Sequence, residues 1–451
     1  MKKHFLFLIA LTNLTVVLPQ QITIHIKNSE VDKAVLYSLE GEKSFIIDTV
    51  YKGAKEIFQI PVSHKLSTGF YRLSLNNDKR VDFIYDNEEV ILETDANNIF
   101  DRLKVIESKS NKLFYSFLKL NKQYKTKSEV LQLVLARYPN NDEYYQTTKN
   151  RLVQLQKEYS SFVNNESQRN ANSFIARYFQ SAQLPVIDPN LTSDKQLTWL
   201  KEHSLDNVDF NDAGLIYSDC FTNKSIEYLM YYRNPNLPKE HLEKEFVKAV
   251  DTLLTKAKVN RLVYQHITEY LIDGFKKFGF DEIIDYILNK YVIEDDLCLN
   301  EEIESSVKKR IEQAKLLTKE LIAPQITLPD INGKSISLSS ITAIKTLIVF
   351  YAAWCPHCQE LLPQIAKLYD YQKKKEVEVF AVSLDSKREE WINFIKENNL
   401  KWINVNDEKG WDGKSADDYY IYATPTMILV DKDMKIISKP MKIEDIETYF
   451  R

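Results

Sequence analysis

The chain has 451 residues, 44% hydrophobic and 27% charged, with 26 Tyr and 22 Phe; these are values of a folded chain with room for about three domains, and they exclude disorder as the main state. Lys and Arg number 60 against 64 Asp and Glu, a formal charge of −4, so no basic excess draws the chain onto a phosphate backbone and nucleic acid is not an expected partner. Only 9 Gly occur, which excludes collagen-like architecture, and neither GxGxxG nor GxxxxGK[ST] is present to cradle a phosphate.

At the N-terminus, Lys2 and Lys3 precede an apolar stretch from Phe5 to Leu18, followed by Pro19. This is the layout of a secretory signal over residues 1–20. The stretch falls short of the roughly 20 apolar residues of a membrane-spanning helix. No A-x-A pattern precedes Gln20 or Gln21, and no Cys follows there to carry a lipid. Export to the periplasm or cell envelope is expected, with an uncleaved anchor or a buried first strand as the alternatives.

Residues 21–105 alternate apolar and polar at period two, as in Ile22, Ile24 and Ile26 against Thr23, His25 and Lys27. Further runs at Ala34 to Leu39, Phe45 to Val50, Phe70 to Leu75, Val81 to Tyr85 and Val90 to Glu93 are separated by polar turns. Short strands at this spacing predict an antiparallel β-sandwich-like domain. Residues 106–321 carry a helical period, with Leu152, Leu155, Tyr159 and Phe162 on one face and Pro238 opening a helix through Phe246, Val250, Leu253 and Leu254. These stripes read as core, and the few His there show no metal spacing. A charged helix from Glu301 to Glu320 ends before Pro324 and Pro329, the boundary to a third domain over residues 322–451.

That domain carries the chemistry. Thr346 to Tyr351 is a continuous apolar run, as in a strand buried on both faces. It leads into Trp354-Cys355-Pro356-His357-Cys358 and a helical pattern through Leu361, Leu362, Ile365, Leu368 and Tyr369. A strand at Val377 to Leu384, a helix around Trp391 to Asn398, Thr424-Pro425 and strands at Met427 to Val430 and Lys435 to Ser438 follow, with a last short helix. Thiol-disulfide exchange needs a thiolate and a second sulfur close enough to resolve the mixed disulfide. A Cys-x-x-Cys at a helix start supplies both: Cys355 lies where orphan N–H groups and the helix dipole stabilise S⁻, and Cys358 sits one turn on. Cys355 is therefore the expected nucleophile and Cys358 the resolving thiol. Pro356 removes an N–H at the helix start, and His357 adds charge or a hydrogen bond near the sulfurs; both tune the couple toward an acidic, oxidising thiol, and Trp354 beside Cys355 is a third expected tuning residue. A zinc knuckle would need a second Cys-x-x-Cys or paired His, and neither exists, so no metal is expected. Cys220 and Cys298 read as buried free thiols rather than a bridge.

Trp-Cys-x-x-Cys after a β-rich strand, with Thr424-Pro425 further on, resembles the thioredoxin superfamily, in particular the exported TlpA/ResA-like thiol-disulfide oxidoreductases. Pro324 to Leu338 resembles the N-terminal hairpin of that group, and the order of strand, helical and TlpA-like domains resembles multi-domain exported reductases. The resemblance implies a thioredoxin-like α/β domain, a cis Thr424–Pro425 bond facing the Cys pair, and substrate chain pairing with the backbone at Thr424. It implies a redox-active Cys355–Cys358 disulfide with no other cofactor, protein thiols and disulfides as partners, and a membrane-borne electron donor. Two positions depart from the pattern: Val349 stands where thioredoxins carry a buried Asp, and Leu361 stands where the TlpA/ResA-like group often has an acid, with Glu360 one residue earlier. Pro-His between the cysteines resembles the oxidising DsbA group. A thiol peroxidase would place Thr and Pro before a single Cys, and Ala353 and Trp354 stand there instead. The leading reading is a reductase or isomerase, with a disulfide oxidase and a binding or scaffold protein with a regulatory redox centre as the alternatives.

Overall fold

The computed structural model describes residues 21–62, 66–76, 78–299, 305–371 and 376–450; the expected signal segment and the start of the expected charged helix, 301–304, lie outside them. The chain packs as two units, Met1–Asp273 and Gly274–Arg451. Among the described residues, no helix is long and apolar enough to cross a membrane.

The first unit begins with eight strands: β1 (Gln21–Lys27), β2 (Lys33–Glu40), β3 (Lys43–Tyr51), β4 (Ile57–Pro61), β5 (Gly69–Ser74), β6 (Arg80–Tyr85), β7 (Val90–Asp95) and β8 (Lys104–Glu107). They form two four-stranded sheets, β4-β1-β7-β8 and β3-β2-β5-β6. Period-two alternation turns one face of each sheet inward, so Ile24, Phe58 and Leu92 from one sheet share a core with Leu36, Leu73 and Phe83 from the other. The sandwich departs from the all-antiparallel expectation in one pair: β1 and β7 run parallel, with Ile22 opposite Val90. Between them the chain has passed through the other sheet, and that long connection lets β7 re-enter in the direction of β1. Outside the predicted runs lie β4 and the largely exposed edge strand β8.

Seven helices follow in this region: α1 (Lys109–Arg137), α2 (Glu143–Arg169), α3 (Phe174–Ala182), α4 (Ser193–His203), α5 (Cys220–Met230), α6 (Lys239–Ala257) and α7 (Arg261–Lys277). Leu152, Leu155 and Tyr159 are buried on α2, and α6 starts at Pro238 and buries Phe246, Val250, Leu253 and Leu254. The start of α1 also seals a sheet edge. Asn111 is fully buried; its side-chain oxygen accepts from Ile84 N–H at 2.9 Å, and its amide donates to the Ile84 carbonyl at 2.7 Å. It thus stands in for the neighbouring strand that β6 lacks.

The second unit holds α8 (Asp281–Ile287), α9 (Ser305–Leu316) and all that follows. The remaining elements are β9 (Thr327–Pro329), β10 (Ser335–Ser337), β11 (Lys345–Tyr351), α10 (Pro356–Tyr371), β12 (Val377–Ser383), α11 (Arg388–Glu397), β13 (Ile403–Val405), α12 (Lys414–Asp418), β14 (Thr426–Asp431), β15 (Ile436–Ser438) and α13 (Ile443–Phe450). β9 and β10 make the expected hairpin. A five-stranded sheet has the order β13-β12-β11-β14-β15, with β11 parallel to β12 and antiparallel to β14. Thr346 to Tyr351 are buried throughout, as a central strand covered on both faces requires.

Replacing Asn111 with Ala strips the partners from the Ile84 N–H and carbonyl in a buried place. The expected loss is about 2–4 kcal/mol of stability in the first unit, from two unsatisfied backbone groups. A chemical-denaturation midpoint unchanged from wild type would show that water takes over both groups.

Candidate active site

At Tyr351, β11 ends in the middle of the sheet, and Ala352 to Trp354 turn the chain into α10. Cys355 immediately precedes the helix; its N–H donates to the Ala352 carbonyl at 3.1 Å and its carbonyl accepts from Gln359 N–H at 3.0 Å, the bond that opens the helix. Its sulfur therefore lies at the N-terminus of α10, among N–H groups with no partner inside the helix. Cys355 is 5% exposed and Cys358 is fully buried below it, both as free thiols.

The acidities of the two thiols are shifted in opposite directions. Burial, the largest influence on Cys355, pushes its thiol up, but hydrogen bonding by Thr424, by the Cys358 side chain and by the backbone N–H groups of Cys358 and His357 outweighs it, and the net shift is downward. For Cys358, burial dominates and pushes the thiol up to about 12, with the neighbouring Cys355 adding to the rise.

Facing this pair is the segment before β14. The Thr424–Pro425 bond is cis, and the Cys355 thiol donates to the Thr424 carbonyl at 3.3 Å. Register brings this about: Thr426 lies opposite Phe350, so residues entering β14 arrive where β11 leaves the sheet. The Trp354 indole is 53% exposed and lies 6.5 Å, centroid to centroid, from Trp411, which is 38% exposed. Pro356 and His357 are exposed at the first turn of α10. Cys355, Cys358, Thr424, Pro425 and Trp354 thus come together at the C-terminal end of the central strand β11. Cys298, expected as a buried thiol, is instead exposed, past the end of the helical stretch that follows α8; Cys220 is buried on α5 as a free thiol.

Neither position where the resemblance leads to an acid being expected holds one: Val349 is buried in the sheet, Leu361 is half-buried, and Glu360 is exposed. A buried acid reaches the motif from another strand. Asp385 is 1% exposed and lies just past β12. Both of its oxygens accept from Ala353 N–H at 3.0 Å, and one accepts from Ser383 Oγ at 2.8 Å. Asn406 donates to Ser383 Oγ at 3.1 Å and to the Asp385 carbonyl at 3.0 Å. Burial raises the Asp385 carboxyl above its ordinary value. Sequence reasoning missed this residue and Trp411; the available signal was a Ser-Leu-Asp ending a buried strand one position over from the reactive one.

The AhpC/TSA family model matches residues 321–439. A thiol-disulfide oxidoreductase ResA from Bacillus thuringiensis subsp. konkukian is 31% identical over 132 residues, 29% of this chain and 75% of that protein. A ResA from Bacillus cereus is 32% identical over 117 residues, 26% of this chain and 66% of its own length. A solved thioredoxin domain of a thiol-disulfide oxidoreductase from Bacteroides vulgatus is 30% identical, with 29% of this chain and 94% of that chain covered and a TM-score of 0.28. Through its C-terminal domain, the chain belongs to the ResA-like thiol-disulfide oxidoreductases of the thioredoxin superfamily.

Proposed function

We propose that the chain is exported and reduces or isomerises protein disulfides through Cys355 and Cys358, with no cofactor beyond the disulfide these two form. The observation that carries dithiol exchange, common to both directions of electron flow, is the asymmetry of the pair: an acidified thiol at the mouth of the site and a buried, high-pKa thiol below it. In the reducing direction the Cys355 thiolate attacks one sulfur of a substrate disulfide, forming a mixed disulfide and releasing the other sulfur as a thiolate. Cys358 then gives up its proton and attacks the Cys355 sulfur, releasing the second substrate sulfur and leaving a Cys355–Cys358 disulfide; two electrons have passed to the substrate. A membrane-borne donor returns them, because the exported compartment is itself oxidising.

Substrate chain pairs with the backbone at Thr424 beside Pro425, in the manner of strand addition. Trp354 and Trp411 offer apolar rings to the residues that flank the substrate cysteine. Pro356 and His357 tune the potential from the first turn of α10. Export is supported by Lys2, Lys3 and the apolar stretch from Phe5 to Leu18.

A disulfide oxidase is the second reading, favoured by Pro356-His357 and by the acidity of Cys355. Stabilising the thiolate favours the reduced form and makes the couple more oxidising. Equilibration of the full chain against glutathione or dithiothreitol buffers separates the two. A potential near about −270 mV supports a reductase, and one near about −120 mV supports a disulfide donor.

Alkylation mapped to each cysteine by mass spectrometry tests the asymmetry. The Cys355 rate is expected to titrate with a midpoint below the ordinary thiol value of about 8.5, with Cys358 protected through that range. The folded thiol of Cys355 is more acidic than an unfolded one. Its contribution to the stability of the reduced fold is therefore present above the ordinary thiol pKa and lost as pH falls through the folded value. Titration of both cysteines together would contradict the assignment of roles.

Cys355→Ser is expected to abolish reduction of insulin disulfides with folding intact, and Cys358→Ala to accumulate mixed disulfides with partners. A wild-type chain inactive in this assay would favour the scaffold reading.

A further inference from the structure

The family match begins at residue 321, and α9 lies wholly before it, yet α9 packs against the loop that delivers Thr424 and Pro425. Val307, Gln313 and Leu317 are buried along one side of this segment. From the same side, the Gln313 side-chain amide donates to the carbonyls of Tyr419 at 3.1 Å and Tyr420 at 3.2 Å. One turn earlier, the Arg310 guanidinium lies 4.5 Å from the centroid of the Tyr422 ring. That guanidinium is itself fixed, paired with Asp281 and with Asp285 at 3.4 Å and only 12% exposed. The Tyr422 hydroxyl donates to the same Asp285 oxygen at 3.4 Å. Three contacts from α9 and one from Asp285 of α8 thus grip residues 419–422, and Thr424, whose carbonyl meets the Cys355 thiol at 3.3 Å, is two residues further on.

The loop needs such a grip. Between β13 and β14 the backbone runs through a long stretch with only short helical turns, and a segment with few ladder bonds opens at low cost unless side chains tie it down. Tyr419 supplies a tie inside the domain, its hydroxyl donating to the Pro324 carbonyl at 2.5 Å and its ring 5.0 Å from Phe350. Backbone N–H groups of Tyr419, Tyr420 and Ile421 bond back to Ser415, Asp417 and Ala416, Tyr422 is tied to Asp285 of α8, and α9 adds Gln313 and Arg310. A planar guanidinium stacked on a ring and a two-carbonyl amide each fix orientation as well as distance.

We propose that α9 is a positioning element of the catalytic unit: Gln313 and Arg310 hold residues 419–422 so that the Thr424 backbone and Pro425 are pre-set for a protein substrate. The proposal rests on the reading of the site as one that takes protein disulfides. It gives the helical segment before the family domain a role in substrate capture, with Gln313 and Arg310 acting through Thr424 rather than touching the reacting sulfurs.

The test uses the full chain with Gln313→Leu, which keeps the shape and removes both donors, and Arg310→Lys, which keeps the charge against Asp281 and Asp285 and loses the planar stack. Two readouts are taken. In insulin reduction, KM is expected to rise by about two- to tenfold in each variant, the scale of a modest net polar contact felt through the loop, with kcat within about twofold of wild type. Reduction of a small disulfide, 5,5′-dithiobis(2-nitrobenzoate), is expected to stay at the wild-type rate. Insulin and small-disulfide rates that fall together, or an unchanged KM, would overturn the proposal. Amide exchange at Thr424 and Thr426 is the second readout, expected to quicken in both variants while α10 keeps its protection. A wild-type chain that turns over neither disulfide counts against the reading of the site. Unchanged exchange at Thr424 and Thr426 counts against α9 as the element that holds the loop, whatever the turnover.

Discussion

The site depends on one constraint: β11 is a central strand, buried on both faces, and it ends where α10 begins. Because it pairs in parallel with β12 and antiparallel with β14, three chain segments are obliged to meet at its C-terminal end. Tyr351 lies opposite Ser383, which brings Asp385 to the backbone of Ala353; Phe350 lies opposite Thr426, which brings Thr424 to the Cys355 sulfur. Neither Asp385 nor Thr424 is near Cys355 in sequence. A one-residue slip in either pairing would turn the alternate side chains to the other face and take the partner away. The continuous apolar character of β11 is thus a condition of the chemistry as well as of the core, since only a strand buried on both sides opens its end onto the middle of the sheet.

From that placement follows the division of labour between the two thiols. A helix N-terminus stabilises negative charge only within its first turn. Cys355, just ahead of the helix, receives that stabilisation; Cys358, still in the first turn but facing the core, loses solvent, and burial outweighs it. The same three-residue spacing therefore produces one acidic thiol and one reluctant thiol without a dedicated charge beside either. Asp385 does not break this symmetry directly; it secures the N–H of Ala353 and with it the turn that sets where Cys355 stands. With Val349 and Leu361 apolar where the resemblance leads to an acid being expected, the proton of Cys358 has no carboxylate partner at those two positions.

Much of this was legible in the sequence because it rests on local pattern. The β11 run, the Cys-x-x-Cys at a helix start and the hairpin after Pro324 are all set by neighbours within a few residues. What was not legible depends on pairing at a distance. The parallel β1–β7 pair leaves no mark on either strand, since the alternation is the same whichever way the neighbour runs. Asp385, Trp411 and Asn406 look like ordinary loop residues until strand order brings them to the motif. Exposed β8 has no buried face to impose a period. Cys298 was read as buried because free cysteines usually are, but its position past the last helical turn leaves it in solvent.

Proline punctuation after the charged helix placed a boundary at residue 321, and the packing adds a different division. The units part between Asp273 and Gly274, and the connection after α9 is itself paired to the sheet edge: Glu320 N–H donates to the Ile436 carbonyl at 2.9 Å, Ile436 N–H to the Leu321 carbonyl at 2.8 Å, and Ala323 N–H to the Met434 carbonyl at 2.9 Å. Leu317 belongs to the same hydrophobic cluster as Leu347 and Ile428. Prolines mark where a helix must stop, since they lack the N–H to continue it; they carry no information about which side chains of that helix have already joined the next core. Here the stop signal falls after the helix has docked. The stretch that a sequence reader assigns to the helical region is, by its hydrogen bonds and its buried side chains, built into the unit that holds the thiols.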